Sequence, residues 1–352
     1  MALKERTEVI KQKIAVIGSG SWGTALSLLL VHKGYNTWLW GRPEDGTEET
    51  NQYRENKRYL PGIDLPPQLM ITCDEAEALF SSTAVIMAVP AQAMRAVVSR
   101  LRSHLPADAI IISAAKGIEQ ETLLRMSEVL EQELPSANQK RTAVISGPSH
   151  AEEVARFIPT AVVASSKNKE TALLVQELLM NSRFRVYTNS DLVGVETGGA
   201  LKNIIALAAG ISDGLGYGDN TRAALITRGL TEMKRLGLAM GSKSETFFGL
   251  SGLGDLIVTC NSLHSRNRRA GILLGQGFSR NDVTQRINMV VEGIETALAV
   301  KELASNLNVE MPITAQVWEV LCAGLSPRTA VDKLMLRSRK LEEESLDWPE
   351  EG

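Results

Sequence analysis

The chain has 352 residues, of which 44% are hydrophobic and 22% charged, and its net charge is −3. This is material for about two domains with large cores, and it excludes the global basic signature of a nucleic-acid binder. Cys73, Cys260 and Cys322 lie far apart with no C-x-x-C pair, which argues against a disulfide framework and a zinc site and fits a reducing compartment.

Residues 1–12 read as a polar leader that lacks the apolar centre of a signal peptide. The first strand is then Lys13–Ile17, and Gly18-Ser19-Gly20-Ser21-Trp22-Gly23 follows it, opening a helix. The spacing G-x-G-x-x-G between a strand and a helix is a dinucleotide-binding turn. Gly18 permits the tight turn, Gly20 lets backbone approach a pyrophosphate, and Gly23 allows close helix–strand contact. The free N–H groups and dipole of the helix start supply the anion site. The helix closes at Gly34, and a second strand, Asn36–Trp40, ends at Gly41-Arg42. An acid at that strand end would bind the adenosine ribose, whereas an arginine suits a 2′-phosphate. NADPH, or use of both cofactors, is therefore favoured over strict use of NADH, with a solvated loop charge as the plainer reading of Arg42.

Residues 43–69 are a polar, loop-rich insertion over the cofactor edge. Strands are expected at Leu69–Thr72, Ala84–Val89, Ala109–Ser113, Ala143–Ser146 and Thr160–Ala164, with an edge strand at Phe184–Tyr187. Helices are expected between them at Asp74–Phe80, Ala91–His104, Glu121–Leu134, Ala151–Phe157 and Lys169–Asn181. Continuous apolar strands alternating with helices predict an α/β fold, a doubly wound and mostly parallel sheet of the Rossmann type. Ligands gather at the carboxyl ends of such strands, which singles out Lys116 and the turn Ser146-Gly147-Pro148-Ser149.

Strand patterns stop after about residue 191. The domains are read as 13–195, binding the dinucleotide, and 196–338, all helical and carrying the substrate chemistry; 339–352 reads as an acidic tail. Glu196–Gly210 is a small-residue, largely apolar helix with Lys202 in its middle. A lysine there must be paired, deprotonated or snorkelling from one face. Apolar segments such as Ile204–Ile211 read as too short to span a bilayer. The expectation is a cytoplasmic protein without stable membrane insertion. Asp255 follows a glycine turn, where a helix cap is its simplest role, and its carboxylate could instead hold Lys202 in place. In Ser265-Arg266-Asn267-Arg268-Arg269, three arginines with Ser and Asn suit a phosphate, and hence an anionic small substrate.

Six motifs in order now resemble one family. Gly18–Ala25, Ala114–Glu119, Ser146–Ser149, Gly199–Asn203, Gly252–Leu256 and Ser265–Asn267 are together similar to bacterial-type NAD(P)-dependent glycerol-3-phosphate dehydrogenases, over about residues 13–335. The resemblance implies interconversion of dihydroxyacetone phosphate and sn-glycerol 3-phosphate, a precursor of glycerophospholipids, and a homodimeric assembly. It implies cofactor contacts at Ser21, Trp22, Arg42, Ala151, Val290 and Glu292. Substrate contacts are implied at Gly147, Ser149, Asp255, Ser265 and Asn267, with Lys116 and Arg266 serving both ligands. Lys202 matches the catalytic lysine. The residues fit that chemistry by themselves, because hydride delivered to a ketone leaves a negative oxygen that an ammonium stabilises and protonates. No metal cluster is visible. The rival readings are a dehydrogenase for a hydroxy acid or phosphosugar acid, and a non-catalytic cofactor sensor.

Overall fold

The computed structural model describes residues 12–339 and 342. The expected leader (1–12) and acidic tail (339–352) lie almost wholly outside the described residues. Eight strands form one sheet: β1 (Lys13–Ile17), β2 (Asn36–Trp40), β3 (Met70–Thr72), β4 (Ser82–Met87), β5 (Ile110–Ser113), β6 (Thr142–Ser146), β7 (Thr160–Ser165) and β8 (Phe184–Asn189). Their order is β3-β2-β1-β4-β5-β6-β7-β8, and every pairing is parallel except β6 with β7. Alternation along β1 sends Ile14 and Val16 into the core on one face, and Ala15 and Ile17 into the core on the other. With both faces covered by helices, the strands have to be apolar throughout. The order reverses at β1, whose neighbours are β2 and β4, and this opens a crevice at the carboxyl ends of these strands.

Several helices are shorter than expected. Glu121–Leu134 is helical only from Met126 to Glu133. Before it the chain loops back, with Ile118 bridged to Arg125 and Leu123 at a positive φ of 62°. Ala91–His104 opens as a 3-10 turn and ends at Leu101, and Ala151–Phe157 ends at Val154.

The 23-residue helix Leu192–Gly214 organises the second half, so the boundary expected at 195 falls inside its first turn. Its apolar composition and length, greater than its sequence pattern implied, meet the bare requirement for crossing a bilayer. Yet 89% of its apolar window is buried among other helices, as befits a core helix. The small residues explain how. A Cβ at Gly210 or Gly214 would lie 2.1 or 2.3 Å from the carbonyl oxygens of Arg268 and Ile272. One at Gly271 or Gly275 would lie 2.2 or 2.3 Å from those of Leu207 and Ile211. This glycine seam lets Leu192–Gly214 and Arg266–Gly275 pack backbone to backbone, which sets Asn267 beside Asn203.

Candidate active site

A cavity of about 530 Å³ runs between the sheet's carboxyl edge and the helical half. Gly18, Gly20, Ser21, Trp22 and Arg42 line the end at the glycine turn; Lys116, Ser149, Lys202, Ser265, Arg266 and Asn267 line the remainder of its wall. Gly18 turns with φ of 112°, and a Cβ there would stand 2.7 Å from the Ala88 carbonyl oxygen. Gly23 does not reach the cavity, because its Cα packs against the Gly18 carbonyl, where a Cβ would come within 1.9 Å. At Gly20 a Cβ would meet nothing within 4 Å and would occupy the cavity itself. The helix Ser21–His32 begins there with no side-chain cap and no acid in its first turn, leaving its N–H groups to an anion. These features fit a dinucleotide pyrophosphate. Arg42 stands at the same end, where its guanidinium donates to both carboxylate oxygens of Asp45, at 2.8 and 3.0 Å. Arg58 and Tyr59, from the insertion expected over the cofactor edge, line that end as well, beside Glu44 and Asp45.

Lys202 neither snorkels nor stands alone. It is 7% exposed, and its Nζ donates to Asp255 Oδ1 and Thr259 Oγ1, each at 2.8 Å. Lys116 Nζ donates to the other oxygen of the same carboxylate at 2.6 Å, and to the Gly147 carbonyl at 2.8 Å. Asp255 is thus not a helix cap but a bridge between two ammonium groups. It sits behind them at 1% exposure, not on the cavity wall. Burial alone would raise its pKa, yet the two lysines hold it below the usual carboxylate value. Burial lowers Lys202 to about 8, aided by the Lys116 charge and opposed by Asp255. An amine so tuned is poised to give and take a proton near neutrality.

Local structure makes this bridge. A π-helical turn, Leu250–Gly254, delivers Asp255 into the first turn of Asp255–Asn261, and such turns recur at functional sites. Thr259 follows one helical turn later, on the same face. At Gly199, a Cβ would lie 2.6 Å from Ser146 Oγ and 3.6 Å from the Lys116 side chain, so glycine lets the strand end and its lysine approach the helix.

The three-arginine cluster divides. Arg266 faces the cavity and donates to the Val290 carbonyl at 3.0 Å. Arg268 turns away to Asp213 at 2.8 Å, and Arg269 is not on the cavity wall. Ser265 caps Arg266–Gly275 by accepting from the Arg268 N–H. Asn203 and Asn267 form an amide chain: Asn203 donates to the Lys116 carbonyl (3.2 Å), Asn267 donates to Asn203 (2.8 Å), and Gly293 N–H donates to Asn267 (2.9 Å). Ala151, Val290 and Glu292 also line the cavity, while Gly147 is not on its wall and its carbonyl accepts from Lys116 and from the Ser149 hydroxyl. Glu292 accepts from the Ala91 N–H at 3.1 Å, tying the two halves, and burial raises it to about 7. Sequence reasoning missed the parts played by Asn203 and Thr259. Adjacency to Lys202 and the four-residue spacing from Asp255 were the available signals.

A glycine-turn crevice facing a buried, carboxylate-bridged lysine pair defines a two-domain dehydrogenase dependent on a nicotinamide dinucleotide. Residues 13–172 match the N-terminal family model of NAD-dependent glycerol-3-phosphate dehydrogenase, and residues 191–332 match its C-terminal counterpart. The chain belongs to this family. It is 53% identical over 334 residues to the glycerol-3-phosphate dehydrogenase (NAD(P)+) of Pelotomaculum thermopropionicum, covering 95% of this chain and 96% of that one. It is 51% identical to the Moorella thermoacetica enzyme of the same name, covering 96% of this chain and 100% of that one. The crystal structure of glycerol-3-phosphate dehydrogenase from Coxiella burnetii superposes with a TM-score of 0.89 at 43% identity, covering 93% of this chain and 100% of that one. The chain is accordingly an oxidoreductase that uses NADH or NADPH to interconvert dihydroxyacetone phosphate and glycerol 3-phosphate.

Proposed function

We propose that Lys202 is the general acid and base of this reaction, and that the observation carrying it is its amine, buried at the cavity and fixed by Asp255 and Thr259. Bound NAD(P)H supplies the hydride. In ketone reduction, the Lys202 ammonium neutralises the developing charge on the substrate C2 oxygen and gives it a proton. In the reverse direction the neutral amine takes that proton back. Lys116 holds a second positive charge toward the same oxygen, and Asp255 fixes both lysines. Arg266, with the N–H groups opening its helix, grips the phosphate. Asn267 is engaged on both sides of its amide, so its main work is to hold Asn203, and through it the Lys116 loop.

NADPH is the favoured cofactor in this reading: Arg42 and Arg58 stand at the adenosine end, and a 2′-phosphate competes with Asp45 for Arg42. The reaction supplies glycerol 3-phosphate for glycerophospholipid synthesis in the cytoplasm, and the enzyme works as a homodimer. Lys202→Ala tests the central assignment by the absorbance of NADPH with dihydroxyacetone phosphate. Turnover falls by about three orders of magnitude or more while NADPH still binds. Near-normal turnover removes Lys202 from the role.

A further inference from the structure

The chain has four histidines, and the mechanism above leaves His150 and His264 without a role. His150 is the N-cap of Ala151–Val154 in the sheet half, and His264 directly precedes Ser265 in the helical half. Both line the cavity. Their ring centroids are 5.9 Å apart, so one imidazole from each half faces the other across the end of the cleft where Arg266 stands. His150 Nε2 is shut off from solvent and has no hydrogen-bond partner among the described residues. A buried polar atom left open in this way calls for an explanation, and a ligand in the cavity toward which the imidazole turns supplies one.

We infer that His150 and His264 clamp the phosphoryl end of the substrate, one imidazole from each half, with His150 taking up a proton as the dianion enters. This rests on the proposed reading of the Arg266 end as the phosphate seat. Centroids 5.9 Å apart leave even facing ring nitrogens too far from each other for a hydrogen bond of about 2.8 Å, so a phosphate oxygen lying to one side of the pair can accept from one nitrogen of each ring.

The charges around His150 give the proton linkage its direction. Burial, and then Lys202 on Leu192–Gly214, disfavour the charged ring and lower its pKa. Lys116, from the loop after β5, acts in the same sense; Glu152, on its own helix, and Asp255 act against it. A phosphate dianion brought into this cavity favours the charged imidazole. The proton enters from solvent with the substrate, through the exposed side of His264, and returns to solvent when product leaves. It takes no part in the reduction, which draws its own proton from Lys202.

The decisive measurement is the KM for dihydroxyacetone phosphate of the full chain from about pH 6 to pH 8, for wild type, His150→Phe and His264→Gln. Wild-type KM climbs about tenfold for each unit by which binding raises the imidazole pKa. His150→Phe starts with a higher KM and stays flat, and His264→Gln lies between them. Calorimetry of glycerol 3-phosphate binding to the enzyme with NADP+, in two buffers of different ionisation heat, counts protons directly and shows less uptake in His150→Phe. NADPH binding confirms the fold of each variant, and His150→Gln carries the comparison if phenylalanine is not tolerated. Curves of the same shape with equal proton uptake in wild type and variants overturn the clamp. A wild type inactive on dihydroxyacetone phosphate overturns the substrate reading instead.

Discussion

Replacing Asp255 by asparagine removes one buried charge and leaves two ammonium groups facing each other. Its oxygens accept from Lys202 at 2.8 Å and from Lys116 at 2.6 Å, so both lysines lose their counterion while keeping the cost of burial. With charge centres about 4 Å apart and an effective dielectric of about 20, the lost attraction is about 4 kcal/mol. That corresponds to about three pKa units, which moves Lys202 from about 8 to roughly 5. Near pH 7.5 the protonated fraction then falls from about three quarters to well under 1%, a loss of roughly two hundredfold. Solvent entering the cavity makes this an upper bound. The assay is kcat/KM for ketone reduction against pH, which reports the free enzyme's acid and base. Wild type shows its last alkaline break near pH 8, and Asp255→Asn shows that break displaced downward by more than one unit. A variant whose break stays at pH 8, with activity within about threefold of wild type, would refute the claim that Asp255 sets the charge of Lys202.

Arg266→Ala removes one charge-assisted phosphate contact, worth about 1.5–3 kcal/mol. The KM for dihydroxyacetone phosphate should rise from about tenfold to about a hundredfold, more than kcat falls, and an unchanged KM in steady-state assays contradicts the phosphate seat. Glu232 accepts from the N–H groups of Ile313 and Thr314 at the start of the helix Pro312–Cys322, and burial raises it to about 7. The folded state then binds more protons than the unfolded chain, so its contribution is present at low pH and is lost as pH rises from about 5 through 7. Glu232→Ala strands the N–H groups of Ile313 and Thr314 and the Thr314 hydroxyl, and should lower stability by about 1–3 kcal/mol in thermal melts. Its stability should also fall less steeply than wild type across that window, and parallel slopes would show that the carboxylate titrates normally.

Patterns a few residues long carried most of the fold. The apolar strands, the glycine turn ahead of Ser21–His32 and the small-residue helix around Lys202 all depend on neighbours in the chain, so composition and period were enough to read them. Pieces whose conformation is decided by distant groups were less legible. The expected start at Glu121 fails because Glu119 is taken by Arg95 and Thr122, which leaves the chain in a loop until Met126. Within the site, Lys202, Lys116 and Arg266 stood out as cations in unusual places. No local signal told that Arg268 pairs with Asp213 while Arg266 faces the cavity, since only their angle around one helix separates them.

Sequence alone determined the two kinds of chemistry in this molecule, a backbone cradle for a pyrophosphate and a lysine that an apolar helix cannot leave unpaired. Both follow from residue types and near-neighbour spacing. The tertiary structure decided how that lysine is answered: Asp255, 53 residues from Lys202 and 139 from Lys116, bridges both amines through its two oxygens. It also decided which imidazoles meet across the cleft. Those pairings depend on how a glycine seam and a π turn bring remote segments within a few ångströms, and a one-dimensional pattern carries no measure of that distance.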